Sequence, residues 1–150
     1  MYNNAICGVI FDWVQTLSDG KRTLFPFSEK VLGALKLKYK LGLVSLAGHG
    51  NADRWDDLRA TGILPYFDAV IVDTTKKPHH YLDCAEQMGI HIQRAAIVDD
   101  RMLRGIQIGN NLGCVTFWIQ KGPYAYETPT PETGEPTHCI DSIEDLLRYL

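Results

Sequence analysis

The aspartate Asp12 ends the apolar run of VIFDWVQTL, and Thr16 follows four residues later. LGLVSLAGHG carries Ser45 at the end of another apolar run, Lys76 and Lys77 stand just before Pro78, and AAIVDDR closes with Asp99 and Asp100. Together these residue types form a set suited to a metal and a phosphoryl-like group. A carboxylate can attack phosphorus and divide hydrolysis into two easier steps through an acyl-phosphate. Two negative reactants repel, so a divalent cation held by carboxylates must neutralise the approach, and a few oxygen ligands suit Mg²⁺. Charge spreading over the transferred oxygens then needs donors, here Ser45, backbone N–H groups and a lysine. Each residue alone is ordinary. An aspartate at a strand end is commonly a cap, and an adjacent lysine pair is commonly solvated.

What could bring them together is the pattern of elements. Apolar runs recur at residues 5–11, 41–46, 69–72, 95–98 and 114–119, continuous rather than alternating. Helix-like segments lie between most of them, at 28–39, 52–61, 78–88 and 101–111, with a last one at 142–150. Ser28 is a plausible N-cap, and Pro78 suits a first helical turn. Buried strands interleaved with helices predict an α/β fold, a Rossmann-like parallel sheet sandwiched by helices. Ligands in such sheets gather beyond the carboxyl ends of the strands, where the candidate residues stand. Residues 17–25 contain Asp19-Gly20, a hairpin signal, so a β-hairpin flap is expected after the first strand. Residues 123–136, rich in Pro, Thr and Glu, read as a long surface loop. With no repeat and no linker, residues 1–150 are expected to form a single domain.

Composition limits the partners. Lys and Arg number 15 against 18 Asp and Glu, a net charge of −3, and no basic run suggests nucleic acid or a membrane surface. The start, MYNNAICGVIF, lacks a basic leader, and no apolar stretch reaches the ~20 residues of a membrane span, so a cytoplasmic location is expected. The four cysteines are scattered singly, and Cys7, Cys114 and Cys139 lie in strand-like runs, which predicts reduced, mostly buried thiols. His79 and His80 are expected on the surface, while Trp118, Tyr124 and Tyr126 read as core and loop anchors.

In order, VIFDWVQTL, LGLVSL, KKPHHYLDCAEQMGI and AAIVDDRMLRGIQIGNNLG resemble the motifs of the haloacid dehalogenase superfamily, and the closing THCIDSIEDLLRYL resembles its last strand and helix. The resemblance implies an Mg²⁺-dependent phosphatase-type hydrolase working through an aspartyl-phosphate. By motif, Asp12 resembles the nucleophile, Ser45 the phosphate-binding hydroxyl and Asp100 the metal ligand. Lys77, directly before proline, matches the motif lysine better than Lys76, which is its substitute. The Val14 carbonyl would be a remaining metal ligand beside Asp12, Asp99 a neighbour of the metal ligand or partner of the lysine, and Thr16 a local brace of the turn. Trp13 either walls the pocket or packs beneath the hairpin, and His49 is a candidate substrate contact.

Two departures bear on activity. The family's phosphatases carry a second aspartate two residues after the nucleophile, as general acid and base; here that residue is Val14. Such a group is worth about 10²–10⁴-fold in rate, so turnover is expected to be slow, and a degenerate binding or regulatory module is the alternative. Dehalogenases also lack this aspartate, but the Asp99-Asp100 pair and the short inter-motif segments argue against them. Those segments leave no room for a cap domain. An open site would serve a phosphorylated small molecule or macromolecule, with a second copy of the chain as a candidate lid.

Overall fold

The computed structural model describes residues 5–20, 22–47 and 51–150. Strands β1 (Gly8–Phe11), β2 (Lys40–Leu46), β3 (Ala69–Asp73), β4 (Ala95–Asp99), β5 (Val115–Ile119) and β6 (His138–Ile140) form one six-stranded sheet in the order β3-β2-β1-β4-β5-β6. Every neighbouring pair is parallel. Four helices connect them: α1 (Ser28–Lys36), α2 (Asn51–Thr61), α3 (Pro78–Met88) and α4 (Gln107–Asn111). This is the expected Rossmann-like parallel sheet.

Both faces are covered, which explains why the strands read as continuous apolar runs. Successive side chains point to opposite faces. Val9, Phe11, Leu41, Leu43, Ala96 and Val98 meet Val31, Leu32 and Leu35 of α1 on one side. Ile10, Val44 and Ile97 meet Tyr81, Cys84, Ala85 and Met88 of α3 on the other. A side-chain carbon at Gly42 would collide with Cys84 and Met88, so this glycine is what lets α3 lie close on β2. Among the described residues, no inserted domain interrupts the segments on either side of Ser45. Among the described residues, no helix is long and apolar enough to cross a membrane.

Several boundaries differ from the sequence expectation. The segment 142–150 is a 3₁₀ turn, Ile143–Arg148, opened by Ser142, whose Oγ accepts from the Glu144 N–H at 3.3 Å. Residues 101–111 begin with a π-turn, Met102–Ile106, before α4. Of residues 17–25, the structure pairs Ser18 with Leu24 in an isolated antiparallel bridge. Cys139 is exposed despite its strand, and Cys7 precedes β1 and is half-buried, whereas Cys84 and Cys114 are buried. Tyr126 is exposed, while Trp118 is a core residue as expected.

Candidate active site

The register of the central strands assembles the site. Phe11 pairs with Val98, and the Asp12 N–H extends that ladder to the Val98 carbonyl at 3.0 Å. One residue further on, Asp12 and Asp99 come side by side at the carboxyl edge, with Asp100 beyond. One oxygen from each of these three carboxylates lies within 4.8 Å of the others. Thr16 Oγ1 donates to Asp12 Oδ2 at 3.2 Å, bracing the carboxylate from its own turn as expected.

The lysine in this cluster is Lys76, not Lys77. Lys76 Nζ donates to Asp12 Oδ1 at 2.5 Å and to Asp99 Oδ2 at 3.4 Å, with its side chain 2% exposed. Lys77 is exposed and serves as the extended N-cap residue of α3. In extended backbone, consecutive side chains point oppositely, so a one-residue offset turns one lysine inward and the other to solvent. Proline adjacency misassigned the pair because it marks the start of α3 rather than the direction of the preceding side chain.

His80 also departs from expectation, since it is buried while His79 is exposed. Its Nδ1 accepts from the Lys77 N–H at 2.9 Å, which leaves the proton on Nε2 for Asp73 Oδ2, also at 2.9 Å. This fastens the β3–α3 connection that delivers Lys76. Trp13 packs in the core fully buried, so it does not wall the cavity. His49 lies outside the described residues.

Burial sets the electrostatics. Desolvation pushes the Asp99 and Asp100 carboxyls well above the usual carboxylate range, and the Asp12 charge pushes them further. Burial alone would lower the Lys76 pKa, but Asp12 and Asp99 outweigh it and hold the ammonium firmly protonated. Three carboxylates against one lysine leave an excess of negative charge. An oxygen donor set of that kind suits a hard divalent cation such as Mg²⁺.

Gly105 has a local reason. A side-chain carbon there would fall well inside contact distance of Asp99 Oδ2, so the π-turn can approach this carboxylate only with glycine. The Asp99 Oδ1 accepts from the Arg101 N–H at 3.1 Å, and Trp118 Nε1 donates to the Asp100 carbonyl at 2.9 Å. The turn after β4 is therefore held from both sides.

Beside the carboxylates opens a cavity of about 280 Å³, lined by Asp12, Val14, Ser45, Lys76 and Asp100 and by Arg101, Arg104, Pro123 and Tyr124, which come from the turn after β4 and the 123–136 loop. Ser45 is buried, and its Oγ donates to the Leu46 carbonyl at 3.0 Å. The Val14 side chain is half-buried in the wall. Arg101 grips the buried Glu127 through two bonds, at 3.1 and 3.2 Å, and lies 3.7 Å over the Tyr124 ring. The 123–136 loop is thus a wall of the cavity. Nothing in the residue types marked Glu127 or Tyr124 for this role; Arg101 and Arg104, spaced by three residues just past the aspartate pair, were a readable signal.

The described geometry has close counterparts. A family model, haloacid dehalogenase-like hydrolase, matches residues 4–119. The chain belongs to the haloacid dehalogenase-like hydrolase family. A glyceraldehyde 3-phosphate phosphatase of Methanopyrus kandleri is 28% identical over 133 residues, 83% of this chain and 56% of that protein. The chain therefore spans little more than half the length of this relative. A HAD phosphatase from Thermococcus onnurineus superposes with a TM-score of 0.69 at 25% identity, over 85% of this chain and 58% of the other. An uncharacterized protein from Listeria monocytogenes serotype 4b is matched along its whole length, with a TM-score of 0.76 at 18% identity over 97% of this chain. At that identity the likeness concerns the fold alone.

Proposed function

We propose that this chain is a phosphatase-type hydrolase of the haloacid dehalogenase-like family, with Asp12 as nucleophile. The observation that carries the reading is the convergence of Asp12, Lys76, Asp99 and Asp100 at the end of β1 and β4, with Ser45 lining the same cavity. Asp12, the Val14 carbonyl and Asp100 are the groups that would hold Mg²⁺. The cation would supply charge neutralisation between the anionic nucleophile and the phosphoryl group. Lys76 orients the Asp12 carboxylate and, with Ser45, offers donors to the transferred oxygens. The Asp12 carboxylate attacks phosphorus, the leaving group departs, and water hydrolyses the resulting aspartyl-phosphate.

Val14 gives this site a hydrocarbon where a carboxyl would protonate an alcohol, so turnover of alkyl phosphates is slow. The relatives' phosphatase names support a phosphorylated small molecule as substrate. The test is hydrolysis of a phosphate-ester set with Mg²⁺ by wild type and Asp12→Asn, with mass spectrometry for a phosphoryl adduct on Asp12. Loss of both activity and adduct in Asp12→Asn is expected; unchanged hydrolysis would overturn the nucleophile. A second reading, a module that binds phosphate and turns nothing over, is favoured by Val14 alone. Retained phosphate binding with no Asp12-dependent hydrolysis of any substrate would decide for it.

A further inference from the structure

The residues that line the cavity differ in what they offer a substrate. Where the family's phosphatases carry their acid, this chain has Val14, and among the described residues the carboxyls lining the cavity are Asp12 and Asp100, both within the acidic trio. Two arginines line the same cavity. The Arg101 charge is met by Glu127. Arg104 lines the same cavity, half-buried, and its guanidinium has no carboxylate partner among the described residues. A site poor in protons and supplied with a fixed positive charge suits a group that departs as an anion and stays one.

We infer that the substrates are phosphoryl groups carried on strongly acidic leaving groups, acyl phosphates or phosphoanhydrides, and that Arg104 meets the negative charge that grows on the departing oxygen. This rests on the assignment of Asp12 as nucleophile. A carboxylate leaves as the conjugate base of an acid with pKa about 4, whereas an alkoxide resembles hydroxide, the conjugate base of water, a far weaker acid. Only the second needs a proton from the enzyme. In the first step a bond forms between an Asp12 oxygen and phosphorus. The bond from phosphorus to the leaving oxygen breaks, and its electron pair stays on that oxygen opposite Arg104. In the second step water adds to phosphorus, the aspartyl–phosphorus bond breaks, and the carboxylate of Asp12 returns. The water's proton leaves with the phosphate product or to solvent. An acyl phosphate and water thus become a carboxylate, phosphate and a proton. Since Val14 is equally unable to activate that water, the aspartyl-phosphate forms faster than it breaks down.

The experiment compares acetyl phosphate, inorganic pyrophosphate, glycerol 3-phosphate and aryl phosphates of graded phenol acidity, with Mg²⁺, on wild type, Asp12→Asn, Val14→Asp, Arg104→Ala and Arg104→Lys. Acetyl phosphate or pyrophosphate is expected to exceed glycerol 3-phosphate by ~10²-fold or more in kcat/KM, with a burst of product before steady state. The aryl series should depend steeply on phenol acidity, and Val14→Asp should flatten it. Arg104→Ala should lower kcat for acetyl phosphate by ~10²-fold with little change in KM, because the charge appears only as the bond breaks. Arg104→Lys should recover most of it. Asp12-dependent turnover with glycerol 3-phosphate as fast as acetyl phosphate and pyrophosphate would overturn the substrate class while sparing the nucleophile. An unchanged kcat for acetyl phosphate in Arg104→Ala would overturn the role of Arg104. Hydrolysis indifferent to Asp12→Asn would overturn both this inference and the reading beneath it.

Discussion

The two sides of the cavity are built on opposite electrostatic terms. The acidic side gathers three carboxylates around one buried lysine and keeps a surplus of negative charge. The arginine side binds one cation to a buried glutamate and leaves the other with no carboxylate partner among the described residues. The first is held by the register of two core strands, the second by a turn and a loop. On the proposed function, the reaction would belong with the strand ends, and the choice of substrate with elements that can vary without disturbing the sheet.

That division can be broken at its strongest point first. Asp12→Asn is expected to lower phosphoryl-compound hydrolysis by about three orders of magnitude or more, assayed as phosphate release. Lys76→Ala should cost on the order of 10²-fold in kcat, whereas Lys77→Ala should change it less than about twofold. A large effect at Lys77 would reverse the assignment within the pair. At the Arg101–Glu127 pair the expected effects are in stability. Arg101→Ala leaves Glu127 buried without its partner and should destabilise by about 3 kcal/mol in denaturant titration. Glu127→Ala leaves Arg101 partly solvated and should cost less, about 1–2 kcal/mol. Gly105→Ala forces the π-turn off Asp99 and should cost about 1–3 kcal/mol.

The smallest effect concerns pH. Asp99 and Asp100 have folded-state pKa values raised by burial and by the Asp12 charge, so the folded chain binds protons more tightly than the unfolded one above the ordinary carboxylate range. Without divalent cation, stability should therefore fall as pH rises from about 4, the ordinary carboxylate value, to about 9, where the Asp100 carboxyl titrates. Lys76 is protonated in both states over that interval and adds no slope. Mg²⁺ held at the trio would take the place of the protons, so thermal unfolding with the cation should be nearly flat across the same interval. An equally steep decline with saturating Mg²⁺ would count against a cation at the trio.

Much of the acidic side was legible because strand ends are legible. Apolar runs ending in Asp12, Ser45 and Asp99 announced their own boundaries, and their order along the chain pointed to one edge. The lysine was off by one residue because nothing in KKP reports which way an extended residue faces. His80 read as surface since its two partners, the Lys77 N–H and the Asp73 carboxylate, are set by the turn rather than by composition. The last segment winds as a 3₁₀ turn, a distinction that apolar spacing over so few residues does not carry. The arginine side was the least legible. Glu127 looked like one more acidic residue of a surface loop, and its burial depends on an Arg101 26 residues away.

That pair works as a latch. It ties the loop between β5 and β6 to the turn that follows Asp100, while Asn110 Nδ2 holds the loop's far end through the Thr133 and Glu135 carbonyls at 2.8 and 3.0 Å. A segment clasped at one end by Arg101 and at the other by Asn110 can be exchanged between its clasps. The loop offers a place to graft a new recognition surface onto an unchanged reaction centre, provided that a glutamate still arrives at Arg101.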